Sequence, residues 1–163
     1  MKKLKGLYIE DDPGNLIIYT EFFKQANLEL MPVEFPMELS DYYSLVLEND
    51  IDFLVIDYHL DKQVSYKGTD VLREIRSHDS TIYAVLLTNY DWEDFKQELG
   101  EYDYELKKDM IRDKYLDVAE KIKRACMLRS ERELEAVFEQ ATRRDHDTIT
   151  LLREISKKLD EIE

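Results

Sequence analysis

Two stretches of this chain, "DFLVID" at 52–57 and "IYAVLLT" at 82–88, are almost unbroken apolar runs. That is the pattern of parallel strands buried on both faces. Parallel strands need crossovers, and helical signals lie between the apolar runs. Residues 4–9 read as a strand. Asp12 is placed to cap a helix over 13–26, with Pro13 in its first turn. Residues 28–35 read as a strand that must lie near an edge, because Pro32 cannot donate to a ladder. Ser40 can cap a helix reaching Glu48. Gly68 precedes the helical stretch "TDVLREIR". A short helix over Trp92–Leu99 closes at Gly100, a natural residue after a helix end. "YDYEL" reads as the last strand, followed by a helix from Met110 to Leu128. A β-α unit repeated five times implies a doubly wound α/β sheet with helices on both faces.

After Leu128 the composition changes. Residues 129–163 are rich in charge and contain no glycine, no proline and no strand signal. They read as a separate helical extension, broken near "TRRDHDT", where Asp147 or Thr148 can cap a final helix. Leu152, Ile155, Leu159 and Ile162 follow one another at three, four and three residues, a seam two heptads long. Such a seam suits a homodimer or a partner contact through the C-terminal helices. The alternative is a helix folded back on its own domain.

Charge narrows the function. A formal net charge of -14 over 163 residues argues against nucleic-acid binding and against an anionic membrane. No apolar run reaches the length of a spanning helix. The start "MKKLKGLYIE" passes directly into a strand-like run and acids, unlike a signal peptide, so the expected location is the cytoplasm. Cys126 is the single cysteine, which excludes an internal disulfide and a cysteine metal cluster. It reads as a helix-packing residue.

The chemistry lies at the ends of the apolar runs. "LKGLYIEDD" ends in Glu10, Asp11 and Asp12, and "IDFLVIDYHL" carries Asp57. "IYAVLLTNY" carries Thr88, and "YDYELKKDM" carries Lys107 and Lys108. The carboxyl ends of strands in an open α/β sheet line one crevice, so these groups can meet. Carboxylates alone suit a hard divalent cation such as Mg²⁺. An ionised aspartate, a cation, an ammonium and a hydroxyl together suit phosphoryl transfer. Each residue also has a local explanation. Asp12 is most simply a helix cap, Glu10 and Asp11 a solvated turn, Asp57 a turn cap, Thr88 a strand-end donor and the lysines surface charges.

In this order the motifs resemble the response-regulator receiver domain of two-component signalling, over about residues 3–128. "LYIEDDPGN" resembles its acid pocket and "IDFLVIDYHL" its phosphoacceptor strand. "KGTDVLREIR" resembles the glycine and helix that follow, "AVLLTNY" the strand with the switch hydroxyl, and "ELKKDM" the lysine strand. The resemblance implies a CheY-like (flavodoxin-like) five-stranded sheet of order 2-1-3-4-5, with 1–128 as receiver domain and 129–163 as extension. It implies Asp57 as phosphoacceptor. Mg²⁺ would be held by Glu10, Asp11, Asp57 and the backbone carbonyl of His59. Thr88 and a lysine would bond the phosphoryl oxygens. Lys108 is preferred to Lys107, because it puts Leu106 rather than Glu105 at the interior strand position, and an unpaired buried carboxylate is costly. The implied donor is a sensor histidine kinase or phosphotransfer protein, and the implied output is a downstream protein target. Such a domain is not an enzyme acting on a separate substrate.

The chain departs from the family pattern in several places. The loop "YHLDKQVSYKG" is about three residues longer than usual and lacks a customary proline. Asn89 replaces a very small residue, and Asp109 replaces a common proline. Choosing Lys108 leaves Glu105 at the usual aromatic switch position. His59 and Tyr90 would flank the path of attacking water, which suggests a long-lived phosphoryl state. These departures raise a second reading, a phosphorylation-independent interaction module. A phosphohydrolase is a third, but His59 stands where such enzymes carry a second carboxylate. His78 reads as an exposed loop residue, and His146 as part of a polar turn.

Overall fold

A computed structural model of the chain describes residues 2–60, 63–89, 102–143 and 148–162. Five strands form one parallel sheet in the order β2-β1-β3-β4-β5. They are β1 (Lys5–Ile9), β2 (Glu29–Pro32), β3 (Phe53–Asp57), β4 (Tyr83–Thr88) and β5 (Tyr104–Lys107). The helices are α1 (Pro13–Gln25), α2 (Tyr42–Glu48), α3 (Gly68–His78), α4 (Ile111–Arg143) and α5 (Thr148–Ile162). The expected helix over Trp92–Leu99 lies outside the described residues.

The near-continuous apolar runs are the central strands. Every residue of β3 is buried. Its side chains alternate between two cores, as strand geometry requires. Leu54 and Ile56 join Leu7, Ile9 and Leu86 beneath α2 and α3. Phe53 and Val55 join Tyr8, Val85 and Leu87 beneath α1 and α4. β2 is shorter than the sequence suggests and lies at the sheet edge, where Pro32 is tolerated. Asp12 caps α1, its Oδ1 accepting from the amides of Gly14 (2.8 Å) and Asn15 (3.3 Å). Ser40 does not start α2. It falls inside a single 3₁₀ turn, Leu39–Asp41, that precedes the helix.

The chain leaves β1 towards β2 on one side and returns to β3 on the other. This reversal places a crevice at the carboxyl ends of β1 and β3.

The position 128/129, where the composition changes, falls inside α4, which runs on without a break for 33 residues. Nothing between Ile111 and Arg143 interrupts a helix: the segment holds neither glycine nor proline. α5 folds back along the distal part of α4, and Lys158 Nζ donates to Glu133 Oε2 at 2.8 Å. Where the hairpin meets the amino ends of the strands it roofs a cavity of about 420 Å³, whose lining includes Leu4, Ile51, Cys126 and Ile162. Cys126 contributes to this packing, and burial pushes its thiol up to about 12. Among the described residues, no helix is long and apolar enough to cross a membrane.

Candidate functional site

The site is built from the ends of four strands. Glu10 and Asp11 follow β1, Asp57 ends β3, Thr88 ends β4, and Lys108 opens a 3₁₀ turn directly after β5. Glu10 (1% exposed), Asp57 (4%), Thr88 (1%) and Asp11 (9%) are all buried. A solvated acidic turn would not look like this. Carboxylates taken out of water need compensation, and Lys108 supplies part of it. Lys108 Nζ lies 3.0 Å from Asp57 Oδ2 and 3.5 Å from Glu10 Oε2. The first contact is a charge-assisted hydrogen bond; the second is too long for one.

Of the two lysines, Lys108 turns into the crevice beside Asp57. Lys107 is half-buried at the end of β5, in register with Thr88. Leu106 takes the interior position, 2% exposed, and Glu105 is only half-buried.

Backbone groups complete the frame. The His59 amide approaches Asp57 Oδ1 at 3.4 Å, and the Asp12 amide donates to Glu10 Oε1 at 3.0 Å. Gly68 opens α3 hard against the end of β3. A Cβ there would lie 2.1 Å from the Asp57 carbonyl oxygen and 2.7 Å from Ile56 Cγ2. Only glycine lets this helix start pack so close.

The electrostatics follow from burial. Desolvation, joined by the adjacent Asp57, holds the Glu10 carboxyl well above the usual carboxylate range, with Lys108 opposing the shift. Burial alone would lower the Lys108 ammonium, but Asp57 and Glu10 outweigh it and hold it above its ordinary value.

Glu10, Asp11 and Asp57 each offer a carboxylate oxygen, all within 4.8 Å of one another. Glu10 Oε2 is buried without a hydrogen-bond partner among the described residues. Three convergent oxygen donors, one of them unsatisfied, fit a hard divalent cation. Of the residues singled out in the sequence, Glu10, Asp11, Asp57 and Lys108 come together here. Thr88 is buried at the end of the neighbouring strand, and Asn89 beside it is exposed. Tyr90 lies outside the described residues.

Sequence reasoning missed the tyrosines. The Tyr19 hydroxyl, on α1, donates to the Lys108 carbonyl at 3.2 Å and ties the lysine turn to the first helix. Tyr66, in the long loop after Asp57, donates to the Met37 carbonyl, and its hydroxyl lies 2.8 Å from that of Tyr42 on α2. These contacts anchor the loop to α2 and the segment before it. Residues 89 and 24 positions apart in the chain give no local signal of such bonds. Tyr8 has a buried hydroxyl without a partner among the described residues, and burial raises its pKa strongly.

No protein-family model matches the sequence, and no curated protein matches it. The fold does have solved counterparts. The response regulator TrrA of Thermotoga maritima, in complex with Mg²⁺-BeF, aligns with a TM-score of 0.61 at 18% identity, covering 73% of this chain and 98% of that one. A receiver domain protein from Clostridium thermocellum gives 0.57 at 21% identity, covering 76% and 94%. A CheY-like receiver domain from Methylobacillus flagellatus gives 0.58 at 17% identity, covering 74% and 99%. This chain has the response-regulator receiver fold. The receiver counterparts are matched over nearly their whole length, while about a quarter of this chain lies outside the match.

Proposed function

We propose that this receiver-fold protein is a phospho-accepting signalling module, with Asp57 as the acceptor. One observation carries the reading: a buried aspartate at the end of the central strand has an ammonium 3.0 Å away and two further carboxylates within reach of the same cation. Receiver domains are signalling modules rather than classical enzymes.

In the proposed step an oxygen of Asp57 attacks the phosphorus of a phosphohistidine on a sensor kinase or phosphotransfer protein. The O–P bond forms as the N–P bond breaks, and the imidazole nitrogen leaves with the bonding pair. Lys108 supplies positive charge beside the attacking carboxylate and the transferring oxygens. Thr88 offers a hydroxyl to a phosphoryl oxygen, and the His59 amide steadies Asp57. When bound, Mg²⁺ on Glu10, Asp11, Asp57 and the His59 carbonyl would neutralise charge on the phosphoryl group. Glu10 suits this ligation, because its buried Oε2 has no hydrogen-bond partner among the described residues. Output passes by protein contact to a downstream target, with the cytoplasm as the proposed location and no role for nucleic acid or membrane.

The test is intact-protein mass after incubation with acetyl phosphate and Mg²⁺, beside Asp57→Asn. One phosphoryl adduct, absent from the variant, is the expected result. If neither protein is modified and fluoroberyllate, a phosphoryl mimic, does not bind, the site does not work as an acceptor.

A further inference from the structure

The cavity beneath the helical hairpin lies at the amino ends of the strands, away from Asp57. Its floor is the approach to two central strands: Leu4 leads into β1, and Ile51 into β3. One wall is α4, through Cys126, Met127 and Ser130, and the end of α5 closes over it with Ile162. At about 420 Å³ it is far larger than a packing defect and falls in the range of small-molecule sites. The side chains of Leu4 and Ile51 give water nothing to bond to, so an apolar occupant gains by displacing it.

We propose that this cavity binds a neutral small molecule with an apolar body. The charges on its walls select that class. Three cations and three anions line it, and each already has a protein partner. Lys2 pairs with Asp52 at 3.2 Å, and Lys123 Nζ donates to the Ala26 carbonyl at 2.8 Å. Arg129 lies 2.6 Å from Asp79 and 3.5 Å from Glu133. Lys158 reaches across from α5 to Glu133 at 2.8 Å and to Glu161 at 3.4 Å. A charged ligand would have to break one of these pairs and leave its other half uncompensated in a partly enclosed space. A neutral one leaves them intact and covers the apolar floor. Its polar groups would meet neutral counterparts: the Ser130 hydroxyl, the Asn27 carboxamide and the Cys126 thiol, which burial keeps protonated. Because the walls come from both the hairpin and the body, an occupant would tie α5 to the sheet. This proposal does not depend on phosphotransfer at Asp57.

Nile red, a neutral apolar dye, tests it when titrated into the full chain and read by fluorescence. Cys126 is the single cysteine and stands in the wall, so its alkylation by N-ethylmaleimide, read as intact mass at mildly alkaline pH, reports occupancy of this cavity. The expected results are one saturable site, alkylation slowed severalfold at saturation, and an affinity that hardly changes with salt. Ser130→Trp, which puts a large ring into the cavity, should raise the dissociation constant roughly tenfold or more. Glu139→Trp, at an exposed position on α4, should leave it unchanged. Circular dichroism should show all three proteins equally helical; if Ser130→Trp does not fold, protection of Cys126 in the unaltered chain decides. The absence of saturable binding overturns the proposal. Binding that leaves Cys126 unprotected also overturns it, because the dye then sits elsewhere, as on the exposed Phe138 and Leu152. So does binding that survives Ser130→Trp or falls equally in Glu139→Trp. The anionic dye anilinonaphthalene sulfonate, bound as tightly at the same site, would overturn the neutral class.

Discussion

The sheet body and the helical hairpin solve the same problem to different degrees. In the body, both faces of every central strand are covered, and Leu54, Val55 and Ile56 are fully buried. In the hairpin, each helix covers one side of the other and leaves large apolar residues half in water. A closed two-layer core on each sheet face can hold costly features, such as three buried carboxyl groups at one crevice. A single helix pair has no such reserve, so its stability and its role both depend on what else it meets.

Shortening side chains in the two regions should make the contrast measurable. Leu54→Ala empties a fully buried position and is expected to cost about 3–4 kcal/mol in urea unfolding. Leu159→Ala, at a 44% exposed position on the hairpin, should cost less than about 1 kcal/mol. Equal losses would mean that the hairpin is packed as tightly as the sheet.

Next in size is the acid crevice. Lys108→Met leaves Asp57 and Glu10 facing each other with no cation between them. In metal-free buffer it should destabilise the fold by about 3 kcal/mol. Added Mg²⁺ should recover part of that loss, read as a shift in the unfolding midpoint. Loss without any recovery would point to packing rather than charge.

A smaller effect appears on changing pH. Glu10 holds its proton to higher pH in the folded protein than in the unfolded chain. Its contribution is therefore complete below the ordinary carboxylate range and is lost as pH rises from that range towards the raised one. Metal-free stability should fall across this window. Glu10→Gln should flatten the slope, and Mg²⁺, which favours the ionised form, should reduce it. A slope unchanged in Glu10→Gln would assign it to another group.

The strands and the meeting place of the polar strand ends were legible for the same reason. An unbroken apolar run such as "FLVID" has few options other than a buried parallel strand, and its polar end residue must then stand at the crevice. Lys108 was readable from the preference for Leu106 over Glu105 at the interior position. The path of α4 was not. Composition changes at Leu128 because the helix leaves the body there, and the rise in charge is easily taken for a boundary although no residue stops the helix. The bonds of Tyr19 and Tyr66 were invisible because a hydroxyl's partner is chosen by folding, not by neighbours in the chain. The seam of Leu152, Ile155, Leu159 and Ile162 was visible as a pattern. It splits in space: Ile155 and Ile162 are half-buried, while Leu152 and Leu159 point outward.

The unbroken α4 has a mechanical consequence. Its 33 residues make a rod about 50 Å long. The near end follows directly from the lysine turn held by Tyr19, and midway along, Arg129 grips Asp79 at 2.6 Å. The Arg129–Asp79 grip is a fulcrum, and the far arm is a pointer. A tilt of about 5° about that fulcrum carries the far end, about 21 Å away, by about 2 Å, from the same helical rise. A displacement of the Lys108 turn would then be read at the hairpin at nearly its own size and in the opposite direction.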